Sequence, residues 1–413
     1  MLSTTHITSI AVLLAQLISI SHAQNSSVNS SIVSIPYEYT YLLPSDYIGN
    51  ANYTFVNSTR VPGNSSINSL LQSASQSPFV SYSDEFSSLL GSNPQLQLVA
   101  SKPGLNFAYE AGVWVPQTNT VYFTANVQVN ETYISTLSLS NNSLAVNISS
   151  GITNPVGGYY FEGLIYFATA ETATYPGGIV SYDPQTGAVE TLVNSYFGLR
   201  FDGTDDVTVL RKGNKRFLYF TDLKLNRILE GEYMPNLPPL QLTGAVWRFD
   251  LDEKVLVPVI SRTDVSLPNG IRVSPDYQSL YVTDFGGLTL SEMYNQPWGA
   301  PAIYKYDVTA DGFPVNRRLF ALCRLGSADG LHIDDAGRVW SAEYEGIVVR
   351  SPGGKVLGVF NSQVLLPSQE EGVGYPIANF ALAGDTLVIL ASTKVWTVKL
   401  TEMLVSANSV IVN

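Results

Sequence analysis

The chain has almost no sulfur and almost no imidazole, and both shortages exclude chemistry. Cys323 is its only cysteine, so no intramolecular disulfide can form and stability must come from a large apolar core. Its setting, LFALC, reads as a buried strand thiol and not a reactive one. There are three histidines, His6, His22 and His332. Two of them fall in the leader described below, so the mature chain keeps His332 alone. A zinc site built on two or three histidines cannot be assembled from it. No Gly-x-Ser-x-Gly elbow accompanies that histidine, which removes the ordinary serine triad. Charge is sparse as well: 14% of residues, 22 basic against 34 acidic, for a net charge of −12. An acidic surface repels phosphate backbones, which excludes nucleic acid as a partner. It suits a site that collects cations. No stretch after residue 23 reads as a membrane helix.

What is present begins with a leader. Residues 1–23 contain IAVLLAQLISI followed by Ser21-His22-Ala23. A short apolar core before small residues reads as a secretory peptide cut after Ala23. Eight Asn-x-Ser/Thr sequons follow, at Asn25, Asn29, Asn52, Asn57, Asn64, Asn130, Asn141 and Asn147, and fit an extracellular glycoprotein. Residues 24–80 are rich in Ser, Asn and Tyr and read as a glycosylated N-terminal extension. SDEFSSLLGSNPQ (83–95) has a Ser/Asp start and a Gly stop, the signature of a short helix.

Beyond that the sequence repeats. Six second strands recur in order: TVYFTAN (120–126), LIYFATA (164–170), FLYFTD (217–222), SLYVTDF (279–285), RVWSAEY (338–344) and TLVILAS (386–392). Their spacing matches four-stranded propeller blades. One unit traces in full as strands over 270–274, 279–285, 302–308 and 317–324. The expected fold is all-β: a six-bladed β-propeller over 81–413 with a central metal site. Each blade has two apolar faces, and a closed ring buries all of them. Trp114, Trp247, Trp340 and Trp396 match strand positions and read as inter-blade packing.

In a propeller, residues just before each inner strand converge on the axis. Those positions carry Glu110 in YEAGVW, Asp205 and Asp206 in FDGTDDVTV, Asn269 in LPNGIRV and Asp329 in SADGLHI. Each alone is turn chemistry. Together they are carboxylates sharing a dry channel, which repel unless a cation sits among them. Oxygen donors without thiolate or imidazole select a hard divalent cation, Ca²⁺ above all. Asp222 and Asp284 end second strands and read as turn formers. A second Asp in Asp-Asp-Val also serves to bind backbone N–H groups.

EAGVW, the Asp205-Asp206-Val run after YFGLRF, PNGIRVSPDYQSLYVTD and ADGLHIDDAGRVW together resemble the gluconolactonase and regucalcin-like (senescence marker protein-like) family, and within it the secreted fungal lactonohydrolases. The resemblance runs from about residue 80 to 400. It implies a divalent metal, usually calcium, and hydrolysis of a small-molecule lactone or ester. By motif, Glu110, Asn269 and Asp329 would hold the metal, with Asp205 at a position where the family has an asparagine that touches metal or substrate. Asp329 would also accept the proton from water, with Asp206 as a helper. Tyr109, where the lactonohydrolases have histidine, and His332 are the candidate substrate contacts. Two further readings stay open: a related arylesterase or organophosphatase, and a non-catalytic calcium- and ligand-binding propeller; a strictosidine-synthase-like condensing enzyme shares the expected fold, but nothing in the sequence favours it.

Overall fold

Each of the six repeats folds as an antiparallel sheet, and the sheets follow one another around an axis. The computed structural model describes residues 21–22, 26–29, 31–44, 46–125, 132–223, 239–286, 301–366 and 377–406. Blade one is Glu110–Val115, Thr120–Thr124, Ile134–Ser138 and Ser143–Ala145, with Ser21–His22 on its outer edge. Blade two is Pro155–Phe161, Leu164–Thr169, Gly178–Tyr182 and Val189–Val193. Blade three is Thr204–Lys212, Lys215–Asp222, Ala245–Asp250 and Leu256–Ser261. Blade four is Pro268–Val273, Ser279–Asp284, Ala302–Val308 and Pro314–Leu322. Blade five is Leu331–Ile333, Val339–Glu343, Gly346–Arg350 and Val356–Asn361. Blade six takes Asn379–Ala383, Thr386–Ala391 and Lys394–Lys399 from the C-terminal end. Its fourth strand, Gln95–Ser101, comes from the N-terminal end and pairs antiparallel with Lys394–Lys399. That strand closes the ring.

An apolar cluster lies at every junction between consecutive blades. Phe167 and Tyr122 belong to the one–two cluster, Phe220 and Ile179 to two–three, Tyr219 and Ile271 to three–four. Tyr281 and Leu331 pack four against five, Trp340 and Phe380 five against six, and Phe123 and Leu390 six against one. The expected tryptophan role holds: Trp247, Trp340 and Trp396 are buried in these clusters and Trp114 packs against one. Alternation along each strand puts one set of side chains on each face, so a blade with apolar residues on both faces needs two neighbours. Cys323 is buried at the four–five junction.

The N-terminal extension lies against blade five. Phe79–Ser81 adds antiparallel to its outer strand, and Ile32–Ser34 adds parallel to Phe79–Ser81. A helix at Ser65–Gln76 buries Ile67, Leu71 and Ala74. The short helix expected near residue 83 is Asp84–Leu90, with the Ser83 hydroxyl accepting from Phe86 N and Gly91 at φ 77° ending it. The leader lies outside the described residues apart from Ser21–His22, as do Asn25 and Asn130. Of the other sequons, Asn52, Asn57, Asn141 and Asn147 are exposed, while Asn64 caps the Ser65–Gln76 helix. Among the described residues no helix is long and apolar enough to cross a membrane.

Candidate active site

The axis is built from irregularities in the inner strands. Pairing slips between Glu110 and Val113, between Thr204 and Val207, and between Pro268 and Ile271. Such a bulge places two residues opposite one and re-aims their side chains. In blade three the bulged pair is Asp205-Asp206, and in blade four it is Asn269-Gly270. In blade five Asp329-Gly330 holds the same place, with Asp329 N donating to Ala342 O and Ala342 N to Gly330 O. In blade one the bulged pair is Ala111-Gly112, and Glu110 lies one residue earlier, opposite Thr124. Asp205, Asn269 and Asp329 are thus equivalent by position, whereas Glu110 is not.

Adjacent blades are stitched at these bulges. The Thr221 hydroxyl accepts from Asp206 N (3.0 Å) and donates to Asn269 O (2.6 Å). Thr283 does the same one blade on, accepting from Gly270 N (2.7 Å) and donating to Asp329 O (3.0 Å). Gly270 is needed for close approach: a Cβ there would sit 2.3 Å from Asp329 O. The Asn269-Gly270 pair therefore serves blade packing as well as a turn.

Glu110, Asp205, Asp206, Asn269 and Asp329 are each less than a tenth exposed. Burial pushes the Glu110 carboxyl well above its usual range, and the charges of Asp329 and Asp205 add to it. Burial, then Asp205 and Asp206, do the same to Asp329. Asp205 is pushed up to about 8 by burial and by Asp206. Three groups oppose this, the first being Asn269, whose side chain hydrogen-bonds Asp329. Asn379 Nδ2 donates to Glu110 Oε2 at 3.1 Å, and its own Oδ1 accepts from Phe380 N, which fixes the amide. Arg272 lies 3.4 Å from Asp206 Oδ2 and also donates to Leu331 O. Asp206 Oδ1 accepts from Val207 N and Oδ2 from Ile271 N. Both of its oxygens are committed, as the backbone-binding reading anticipates.

Among the described residues no three His, Cys, Asp or Glu side chains stand close enough to grip one ion as they are. The carboxylates feel each other through a dry interior, and that reach is longer than a coordination bond. The donor set nonetheless fits a hard divalent cation: every donor is oxygen, acid exceeds base, and Asp329 Oδ1 is buried with no hydrogen-bond partner among the described residues.

The region that matches the SMP-30/gluconolactonase/LRE-like model covers residues 109–368. The chain belongs to that family. Within this lactonase-like hydrolase family it is 28% identical to the lactonohydrolase oryL of Aspergillus oryzae, over 65% of this chain and 64% of that one. It is 27% identical to the gluconolactonase of Zymomonas mobilis, over 57% and 59%. The matched part thus spans about two thirds or less of these two relatives. The fold is similar to that of a gluconolactonase from Xanthomonas campestris, at TM-score 0.60 and 20% identity over 78% of this chain and 95% of the other. It is also similar to a calcium-binding regucalcin from Agrobacterium tumefaciens, at TM-score 0.52 and 14% identity over 75% and 94%.

Against the family pattern, the structure brings Glu110, Asp205, Asp206, Asn269 and Asp329 to one place. Tyr109 is buried beside them, its N–H donating to Thr124 O at 2.9 Å. His332 faces elsewhere. It lines a cavity of about 100 Å³ with Trp114, Tyr159 and Arg272, and none of the five lines that cavity. Burial and Arg272 hold its pKa well below the usual value, so the imidazole is neutral. Asp222 and Asp284 are the turn formers expected: Asp222 accepts from Asp202 N, and Asp284 from Ser266 N, Leu267 N and Gly286 N. Sequence reasoning missed Arg272 and Asn379. The signal for Arg272 was an arginine between Ile271 and Val273 on an inner strand; for Asn379 it was the asparagine opening NFALA.

The raised pKa values have a thermodynamic sign. Below pH about 4 Asp205 is protonated whether folded or unfolded. Between about 4 and 8 only the folded state keeps the proton, so stability of the cation-free protein falls as pH rises through that window. Glu110 and Asp329 act in the same direction. In chelator, the melting temperature is expected to drop from pH 5 to pH 8, and calcium should restore it most at pH 8. Asp205→Asn should flatten the profile. A melting temperature independent of pH in chelator would contradict the coupling.

Proposed function

We propose that this chain is a secreted, calcium-dependent lactonase that opens a lactone ring with water. One observation carries the reading: Glu110, Asp205 and Asp329 are buried together on the axis with an orphaned oxygen on Asp329, in a chain of the lactonase-like hydrolase family. Relatives are named for lactone hydrolysis and one structural neighbour for calcium binding, which supports both halves of the reading. The leader-like residues 1–23 and the exposed sequons support secretion and glycosylation.

Glu110, Asp205, Asn269 and Asp329 would hold the cation by oxygen. When bound, the cation supplies Lewis-acid polarisation of the lactone carbonyl. Asp329 takes a proton from the attacking water as the water oxygen bonds to the carbonyl carbon. The ring C–O bond then breaks, the proton held by Asp329 passes to the ring oxygen, and that oxygen leaves as a hydroxyl, giving a hydroxy acid. Tyr109 borders the substrate. Asp206 acts by position, holding the Ile271 N–H and Arg272, and does not move a proton. An aspartate at 205 adds negative charge, which favours cation affinity over carbonyl polarisation.

The test is an assay of the purified protein on aldonic, aromatic and pantoyl lactones, with aryl esters and phosphotriesters alongside. Chelation is expected to lower lactone turnover at least about 100-fold, and added calcium to restore it. No turnover on any of these, with tight calcium binding intact, would overturn the reading and leave a binding module. Preference for the aryl esters or phosphotriesters would move it to the arylesterase class.

A further inference from the structure

A second cavity lies away from the axis, where the N-terminal extension meets blade five. Its volume is about 610 Å³, a size suited to a drug-sized molecule. The extension supplies one wall with the rings of Tyr39, Tyr41, Tyr47 and Phe55 and the side chain of Leu42. Blade five supplies the opposite wall with Val348, Val356 and Val359. The first wall lies wholly before residue 109, where the family region starts. The Xanthomonas gluconolactonase fold is matched over 95% of its length by 78% of this chain, which leaves 22% of this chain outside the match.

The polar floor is specific. Arg324 meets Glu345 at 2.7 Å, and Arg350 meets Glu343 and the Ser341 hydroxyl. Each cation there has an anion, so the floor carries no surplus charge for a charged ligand to neutralise. Tyr82 lines the same floor and is 9% exposed. Its backbone N–H is bonded to Leu357 O, but its hydroxyl makes no hydrogen bond among the described residues. A phenol hydroxyl at the floor of the cavity, with no protein partner to displace, is open to a ligand oxygen. At the rim, Tyr41, Leu42, Tyr47 and Leu322 are each more than half exposed. Water-exposed rings around a concave apolar wall favour a flat aromatic guest.

We propose that this cavity is a second binding site, for an uncharged aromatic molecule bearing a hydrogen-bonding oxygen at one end. The rings of the extension face the guest, and its oxygen bonds the Tyr82 hydroxyl. The site needs no metal, and it stands whether or not the lactonase reading does.

The test uses the full chain in excess chelator and the probe 6-propionyl-2-dimethylaminonaphthalene, an uncharged naphthalene with a ketone whose emission shifts to the blue in apolar surroundings. Saturable one-to-one binding with a blue shift is expected, unchanged by calcium. Tyr82→Phe should weaken binding about five-fold without lowering the melting temperature, because the hydroxyl it removes is unbonded. Leu322→Arg, at the exposed rim, should weaken it at least ten-fold. A blue shift that does not saturate would overturn the site, as would binding indifferent to both substitutions. Binding that appears only with calcium would also overturn it and would place the probe on the axis.

Discussion

Asp329→Asn is expected to slow lactone opening by about 10²–10⁴-fold at saturating calcium, the range lost when a positioned general base is removed. Asparagine keeps the size of the side chain and one carbonyl oxygen for a cation, and the backbone contacts of residue 329 do not involve the side chain. What disappears is a carboxylate able to take a proton. The measurement is kcat against KM with calcium held in excess. A fall in kcat with little change in KM is the expected pattern. Activity within about three-fold of the parent would remove Asp329 from proton transfer. Calcium affinity should fall in the same variant, because one negative charge leaves the cluster.

Arg272→Met should produce the largest loss of stability of any single change at the axis, about 3–5 kcal/mol. Arg272 and Asp206 are both almost wholly buried. Removing the guanidinium leaves Asp206 beside Asp205 with no counter-charge, and also leaves Leu331 O without its donor. Denaturant melts would read the loss directly. The double variant with Asp206→Asn should recover part of it, since the orphaned charge is then gone. A single-variant loss under about 1 kcal/mol would mean that Asp206 is neutral in the folded protein.

The blades were legible because each strand carries its own signal. Alternation and turns placed the second strand of blade four at 279–285, and it is Ser279–Asp284. Its outermost strand begins at Pro314, three residues before the expected 317, because PVN carries turn residues yet pairs with the neighbouring strand. The candidate donors Asp205, Asn269 and Asp329 were legible because each carries the same turn-like pattern, but Asp205 and Asn269 lie inside their inner strands, at the bulge, and not before them. Glu110 was grouped with them as an equivalent, and the structure corrects this: blade one bulges at Ala111-Gly112, so the longer glutamate side chain stands one residue back. Local sequence does not disclose a bulge's register. His332 shows the same limit from the other side. It shares a strand with Asp329's neighbours, yet it opens into a different cavity with Arg272. Arg272 and Asn379 were missed because their roles exist only across blades, as partners of Asp206 and Glu110. The ring-closing strand QLQLVAS was equally mute, since nothing in it names Lys394–Lys399 as its partner.

That closure sets the order in which the molecule can be finished. Leu98 leaves the ribosome long before Trp396, the residue it must lie beside. Until then an early segment with half its hydrogen bonds unmet has to wait while five other units assemble. Sequence-distant pairing of this kind slows folding and lengthens the time a sticky edge is on display. Loss of the chain from residue 392 onward would leave a horseshoe whose two ends cannot meet.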